Sequence, residues 1–164
     1  MAVLAALMLA NALAKPAPCG DFQQQKQVPG MHQAFHSSGH YQLQGNTLIW
    51  QTLKPFASTL EVSPAGLYQS LPGQVRQQIA NGDNPLVASL GTLLAAVMTG
   101  DEKALAQHFK VNRQGETLTL VPQDALVAKG ISDITVTGQP PHRIRLDEPQ
   151  GGQTLITLTR GQCQ

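Results

Sequence analysis

The stretch His40-Tyr-Gln-Leu-Gln-Gly-Asn-Thr-Leu-Ile-Trp-Gln-Thr52 sets apolar side chains at alternate positions on both sides of a glycine. Tyr41 and Leu43 alternate with His40, Gln42 and Gln44, a period of two that predicts a strand with one buried face. After a turn near Gly45, Leu48 and Trp50 fall on one face of a second strand, residues 46–52. Lys54-Pro55 then interrupts, and Leu60 and Val62 alternate with Thr59, Glu61 and Ser63. Pro64-Ala65-Gly66 reads as a turn, and Leu67-Tyr68-Gln69 begins a short return strand. Short strands joined by turns in this way predict an antiparallel meander.

The same pattern returns in the last third of the chain. Leu118 and Leu120 alternate with threonines until Pro122, and Ile134 and Val136 do so until Gly138. Ile144 and Leu146 alternate with Arg143 and Arg145, and Ile156 and Leu158 with Thr157 and Thr159, after a Gly151-Gly152 turn. One face is aliphatic throughout, and the other carries Thr, Arg or Gln. Between the two strand-rich regions the period lengthens. Leu71 to Ala80 predicts a helix opened by Pro72. Asn84-Pro85 supplies an N-cap and first-turn proline for a longer helix, to about Met98. That helix buries Leu86, Leu90, Leu93, Leu94 and Val97 and stops at Gly100. Asp101 caps a third segment, Glu102 to His108, carrying Ala104, Leu105 and Phe109.

The class is therefore α+β, one sheet with a single apolar face and helices from the middle of the chain. Such a face is either closed by the helices as an ordinary core, or left in part as a hydrophobic cavity open to a ligand. The strands offer more aliphatic surface than the short helices readily cover.

Composition narrows the function. The chain has 164 residues, 41% apolar and only 13% charged, with a net charge of +1. That is one domain with no single-sign field, so nucleic-acid binding is not expected. Aromatic residues make up 4%, so any cavity would be lined by aliphatic side chains. Met1 to Ala14 is uncharged and apolar and ends in Ala12-Leu13-Ala14, the small-x-small pattern of a cleaved secretory signal. It is shorter than the ~20 residues of a membrane span. Residues 1–14 are thus expected to be a signal peptide and 15–164 a single exported domain. Cys19 and Cys163 lie far apart, with no metal-ligand spacing. In an oxidising compartment they could bridge and tie the two ends of the domain together, provided their Cα atoms lie within about 7 Å; two unpaired thiols are the alternative.

Catalysis finds no footing. His32, His36 and His40 are four apart, but on a strand that spacing is roughly 13 Å, too far to share a metal. No nucleophile elbow, H-E-x-x-H or P-loop pattern occurs. Asp147 and Glu148 are adjacent and point to opposite faces of a strand. No cofactor is implied.

A series of short motifs resembles the LolA family, periplasmic carriers of outer-membrane lipoproteins, and among them a divergent branch. The series runs through Phe22 with Lys26, Phe35-x-Ser37-Ser38-Gly39, Trp50-x-x-x-Lys54-Pro55-Phe56, and Leu60-x-Val62-x-Pro64 before Gly66-Leu67-Tyr68. It continues through Gly100-Asp101 before Phe109, Leu118-x-Leu120-x-Pro122, Ile134-x-Val136-x-Gly138, and Ile144 to Thr154. The resemblance implies an incomplete antiparallel β-barrel, a strongly curved sheet whose concave apolar face is covered by helices. It further implies a non-enzymatic, monomeric carrier in the periplasm of a Gram-negative bacterium. Such a carrier would take an acylated lipoprotein or other lipid from an inner-membrane complex and yield it to an outer-membrane acceptor. Tyr41, Leu43, Leu48, Trp50, Leu60 and Val62 would line the lipid site from the first strands. Leu118, Leu120, Ile134, Val136, Ile144, Leu146, Ile156 and Leu158 would line it from the last, with Leu90, Leu94 and Val97 facing them from the helix. The family's lid-locking arginine falls at Lys54-Pro55, which makes Lys54 the expected lid contact, as a single mobile donor group rather than a planar fork. A Gly-Asp turn of the family reads Gly151-Gly152 here, and cleavage after Ala14 would leave too few residues before Phe22 for most of the family's N-terminal helix. The alternative function is an adaptor domain with a closed core.

Overall fold

The computed structural model describes residues 19–84, 93–138 and 143–163. The expected signal segment and Leu90 lie outside the described residues. Six strands come first: β1 (Cys19–Gln27), β2 (Phe35–Gln44), β3 (Thr47–Lys54), β4 (Ser58–Ser63), β5 (Gly66–Ser70) and β6 (Gln77–Asn81). Among the described residues two helices follow, α1 (residues 93–99) and α2 (Glu102–Ala106). The chain ends with β7 (Phe109–Gln114), β8 (Thr117–Pro122), α3 (Ala125–Gly130), β9 (Asp133–Thr137), β10 (Arg143–Asp147) and β11 (Gln153–Arg160).

All strands join one antiparallel eleven-stranded sheet, ordered β6-β5-β4-β3-β2-β1-β11-β10-β9-β8-β7. The sheet is not closed, since β6 and β7 form its two edges, so the barrel is incomplete as expected. The first and last strands meet at its centre. Gly20 pairs with Arg160 and Gln27 with Gln153, and Gly161 donates its N–H to the Cys19 carbonyl at 2.9 Å.

The helices are set by their ends. α1 closes with Gly100 in the left-handed region (φ 72°), and the Asp101 N–H reaches back to the Ala96 carbonyl at 2.9 Å, a Schellman stop. Asp101 then caps α2 by accepting from the Ala104 N–H at 3.1 Å, and Asp124 caps α3 by accepting from Leu126 at 2.7 Å. Each short helix buries one anchor, Leu105 in α2 and Val127 in α3.

Two expectations from the sequence are corrected. Leu71 to Ala80 is not a helix: Pro72-Gly73 makes a tight turn with Gly73 at φ 72° and Gln74 N–H bonded to the Leu71 carbonyl at 3.0 Å. Gln77–Asn81 then pairs with β5 as an edge strand. Val75 (84% exposed) and Ile79 (52%) touch no core, so the spacing that suggested a helical stripe had nothing to pack against. The third helical segment ends at Ala106, and Phe109 opens β7, where its ring is 1% exposed. A buried strand start satisfies that ring as well as a helix would. β1 and α3 had no counterpart in the sequence reading.

Candidate functional site

Register decides which side chains share a face, because residues directly paired in an antiparallel sheet project to the same side. Tyr41 pairs with Trp50 and Leu43 with Leu48; Trp50 pairs with Leu60 and Leu48 with Val62. In the other half, Leu118 pairs with Val136, Leu120 with Ile134, Val136 with Ile144, Ile134 with Leu146 and Ile144 with Ile156. Phe22 joins the halves, opposite Leu158 on β11 and Gly39 on β2. The strand residues named from the sequence therefore form one continuous apolar face. Its reverse carries Gln23, Gln25, Gln51, Thr135, Arg145 and Thr157.

Helical residues cover much of this face. Val97 is buried and Leu94 half-buried, and both pack with the sheet in one apolar cluster that also holds Leu93, Ala96, Met98 and Leu105. Leu120 and Ile134 are fully buried at its floor. Trp50, Leu60, Leu146 and Ile156 stay half-buried. One aromatic contact was hidden from sequence reasoning: Phe22 stacks on Trp50, centroids 3.8 Å apart, with Tyr41 beyond at 6.3 Å. Burial pushes the Tyr41 hydroxyl above its ordinary value, with Arg160 pulling it down and Asp21 pushing it up.

Three depressions stand out among the described residues. One, of about 480 Å³, reaches the apolar face beside the end of α1 and is lined by Val97, Met98, Leu118 and Val136, with Arg113 and Arg160 also in its wall. Arg113 is held by Glu102, its Nε 2.6 Å from the carboxylate. A second, of about 610 Å³, is lined by Gln23, Gln25, His36, Ser38, Lys54 and Thr157 together with Pro55 and Leu155. Lys54 is exposed there at the end of β3, preceding a cis peptide to Pro55, and among the described residues it bonds to no helix. The third, also about 480 Å³, flanks the Cys19–Cys163 disulfide (Cα–Cα 5.1 Å) and the Asp21–His40 pair.

No group of three or more His, Cys, Asp or Glu among the described residues could hold a metal ion; His36 and His40 lie along β2 and His32 in the loop before it. A carboxylate pair does exist, though not the adjacent one. Asp133 and Asp147 face each other across β9 and β10. Burial, then the Asp147 charge, holds Asp133 above its ordinary value. Asp147 is held below, first by the Gln153 amide at 2.9 Å and also by Arg145 at 3.0 Å. The pairing joins residues on different strands, so only register reveals it. Glu148 turns away and meets Lys26 at 3.7 Å.

The model of one family, described as outer membrane lipoprotein carrier protein LolA-like, matches residues 2–164. Among solved structures, a LolA superfamily protein from Nitrosomonas europaea is similar at 10% identity and a TM-score of 0.46, covering 88% of this chain and 84% of that one. A domain described as an outer membrane lipoprotein-sorting protein, from Vibrio parahaemolyticus, is similar at 11% identity and a TM-score of 0.42, covering 88% and 83%. No curated protein matches the sequence.

Proposed function

Because this chain belongs to the outer membrane lipoprotein carrier protein LolA-like family, we propose that it is a non-enzymatic carrier that shelters acyl chains against the apolar face of its sheet. The cargo would be a lipoprotein or another acylated lipid, moved through the periplasm of a Gram-negative bacterium from an inner-membrane donor to an outer-membrane acceptor. The single observation that carries this reading is the continuity of the apolar face across a sheet that does not close. Each CH₂ of an acyl chain left in water costs about 0.8 kcal/mol, so a carrier must offer a long aliphatic surface rather than a compact pocket. The depression beside α1 would be the entrance, because its wall already includes Val97, Leu118 and Val136. Movement of α1 off the sheet would uncover the rest. Residues 1–14 would direct export and be removed.

One observation favours a closed-core adaptor domain instead: Leu120, Ile134, Leu158 and their neighbours are already buried against the helices. Displacement of a hydrophobic fluorescent probe separates the two readings. A carrier releases the probe when fatty acid or a triacylated lipopeptide is added, and native mass spectra of the purified protein show bound lipid. A closed core binds neither probe nor lipid, and that result would sink the carrier.

A further inference from the structure

Six of the nine large apolar side chains that stand exposed among the described residues gather on three loop tips at one end of the sheet; Ile79 lies along β6, Val121 in β8 and Leu126 in α3. Strands β1 to β6 are consecutive neighbours, so the loops β1–β2, β3–β4 and β5–β6 all emerge at the same end, side by side. These loops and the strand ends beside them carry Met31 (46% exposed), Phe35 (55%), Leu53 (44%), Phe56 (82%), Leu71 (37%) and Val75 (84%). The opposite end of these strands closes in the turns at Gly45-Asn46, Pro64-Ala65 and Gly82-Asp83, which carry no large apolar residue.

Charge is patterned on the same tips. Residues 28–36, 53–57 and 71–76 contain Lys54, Arg76, His32 and His36 and no Asp or Glu. Arg76 stacks on Tyr68 (3.6 Å) and pairs with Glu61 at 3.0 Å, both within the strands, while Lys54 stands exposed two residues before Phe56. The acids of this end, Asp124, Asp133, Asp147 and Glu148, all sit on the half built from β8 to β11.

We propose that this end of the barrel, through the three tips of β1 to β6, docks on an anionic phospholipid surface. Phe56 and Val75 would enter the acyl boundary, and Lys54 would lie among the head-group phosphates. Separate tips, two of which carry a nearly bare apolar side chain, Phe56 and Val75, and the third the half-exposed Met31 and Phe35, suit a soft interface that closes around each of them. Arg76 is balanced by Glu61, and Lys54, with no acid on the tips beside it, selects anionic lipid. This inference stands on the exposed tips and does not depend on what the apolar face of the sheet carries.

The test is co-sedimentation of the purified full chain with vesicles of phosphatidylethanolamine and phosphatidylglycerol, against vesicles of phosphatidylcholine alone. Binding to the first, weakened by salt and lowered about tenfold in Phe56→Ser/Val75→Ser, is expected. Both positions are solvent-exposed, so thermal unfolding and probe binding at the sheet should stay as in the parent chain. Tryptophan at Phe56→Trp should be quenched by brominated phosphatidylglycerol, with the parent Trp50 signal as the baseline. Equal sedimentation of the double variant, equal affinity for phosphatidylcholine, or an unquenched Phe56→Trp would each overturn the proposal. So would a concentration-dependent dimer that Phe56→Ser abolishes without any vesicle binding, since the tips would then meet a second copy.

Discussion

Phe22 and Trp50 stack face to face, their ring centroids 3.8 Å apart and their planes 23° from parallel, although β2 runs between their strands. Strands two apart in a sheet are separated by roughly 9.6 Å, so the two rings must lean over the middle strand to meet. Gly39 is the residue of β2 that pairs with Phe22, and the backbone of β3 passes close against it. A Cβ there would lie 1.8 Å from the Gln51 carbonyl oxygen. Gly39→Ala is therefore expected to cost about 2 kcal/mol or more in urea unfolding and to change the near-ultraviolet dichroism of the aromatic stack. Parent-like stability would show that the backbone relaxes freely at the bulge between Ser38 and Gly39.

Depth within the apolar face predicts how substitutions divide. Ile134 is fully buried, and Ile134→Ala should lose about 2–5 kcal/mol whatever the face is for. Leu60 is half-buried and outside the tightest part of the cluster, so Leu60→Glu should keep the fold and lose fatty-acid binding. Circular dichroism and probe displacement on the same sample read the two effects separately. Unfolding of Leu60→Glu, together with that of similar variants at Trp50 and Ile156, would mark a closed core.

The disulfide is predicted to hold the centre of the sheet together. It spans 144 residues of sequence, and the chain-entropy model gives an upper limit of about 5 kcal/mol for a loop of that size. Thiol titration in denaturant should find no free thiol before reduction. Reduction or Cys163→Ser should lower the midpoint of thermal unfolding by several degrees or more.

A pH dependence follows from Asp133 and Asp147. A carboxyl held above its ordinary value in the fold favours the folded state at low pH, and that advantage fades as pH rises from 3.8 through the raised value. Asp147, held below, does the opposite, and its stabilisation is lost as pH falls through its lowered value. Asp133→Asn removes the first effect and keeps a donor for Asp147. Its stability relative to the parent should rise in urea unfolding as pH climbs from about 4 through the raised value of Asp133, because only the parent then gains a second charge beside Asp147. A constant difference across that range would show that the two carboxyls do not interact.

The strands whose apolar residues alternate over a polar reverse were legible from the sequence alone: β2 to β5 and β8 to β11. Each carries its own evidence in a period of two. β1 was not, because Gln23-Gln24-Gln25-Lys26-Gln27 has no apolar period; its central place comes from backbone pairing on both sides, with Phe22 as its one large apolar anchor. β6 lies at an edge where Ile79 faces solvent, so the pattern that marks a strand elsewhere is missing. The residues of the apolar face could be named because alternation within each strand sorts them. How deeply each is covered could not, since that depends on where α1 lies. The Phe22–Trp50 stack and the Asp133–Asp147 pair both join separate strands, and only the register brings them together.

The bridge from Cys19 to Cys163 turns the domain into a covalent ring, sealed at the middle of the sheet rather than at an edge. A single cut in any surface loop would leave one molecule of unchanged mass apart from the added water, with both fragments still held in the same sheet. The strands at the two margins, β6 and β7, come directly before and after the stretch of chain that holds α1 and α2, and among the described residues no strand pair ties one margin to the other. New termini at Gly115-Glu116, with the old ones fused, would relocate the beginning of the polypeptide and leave the order of the strands unchanged.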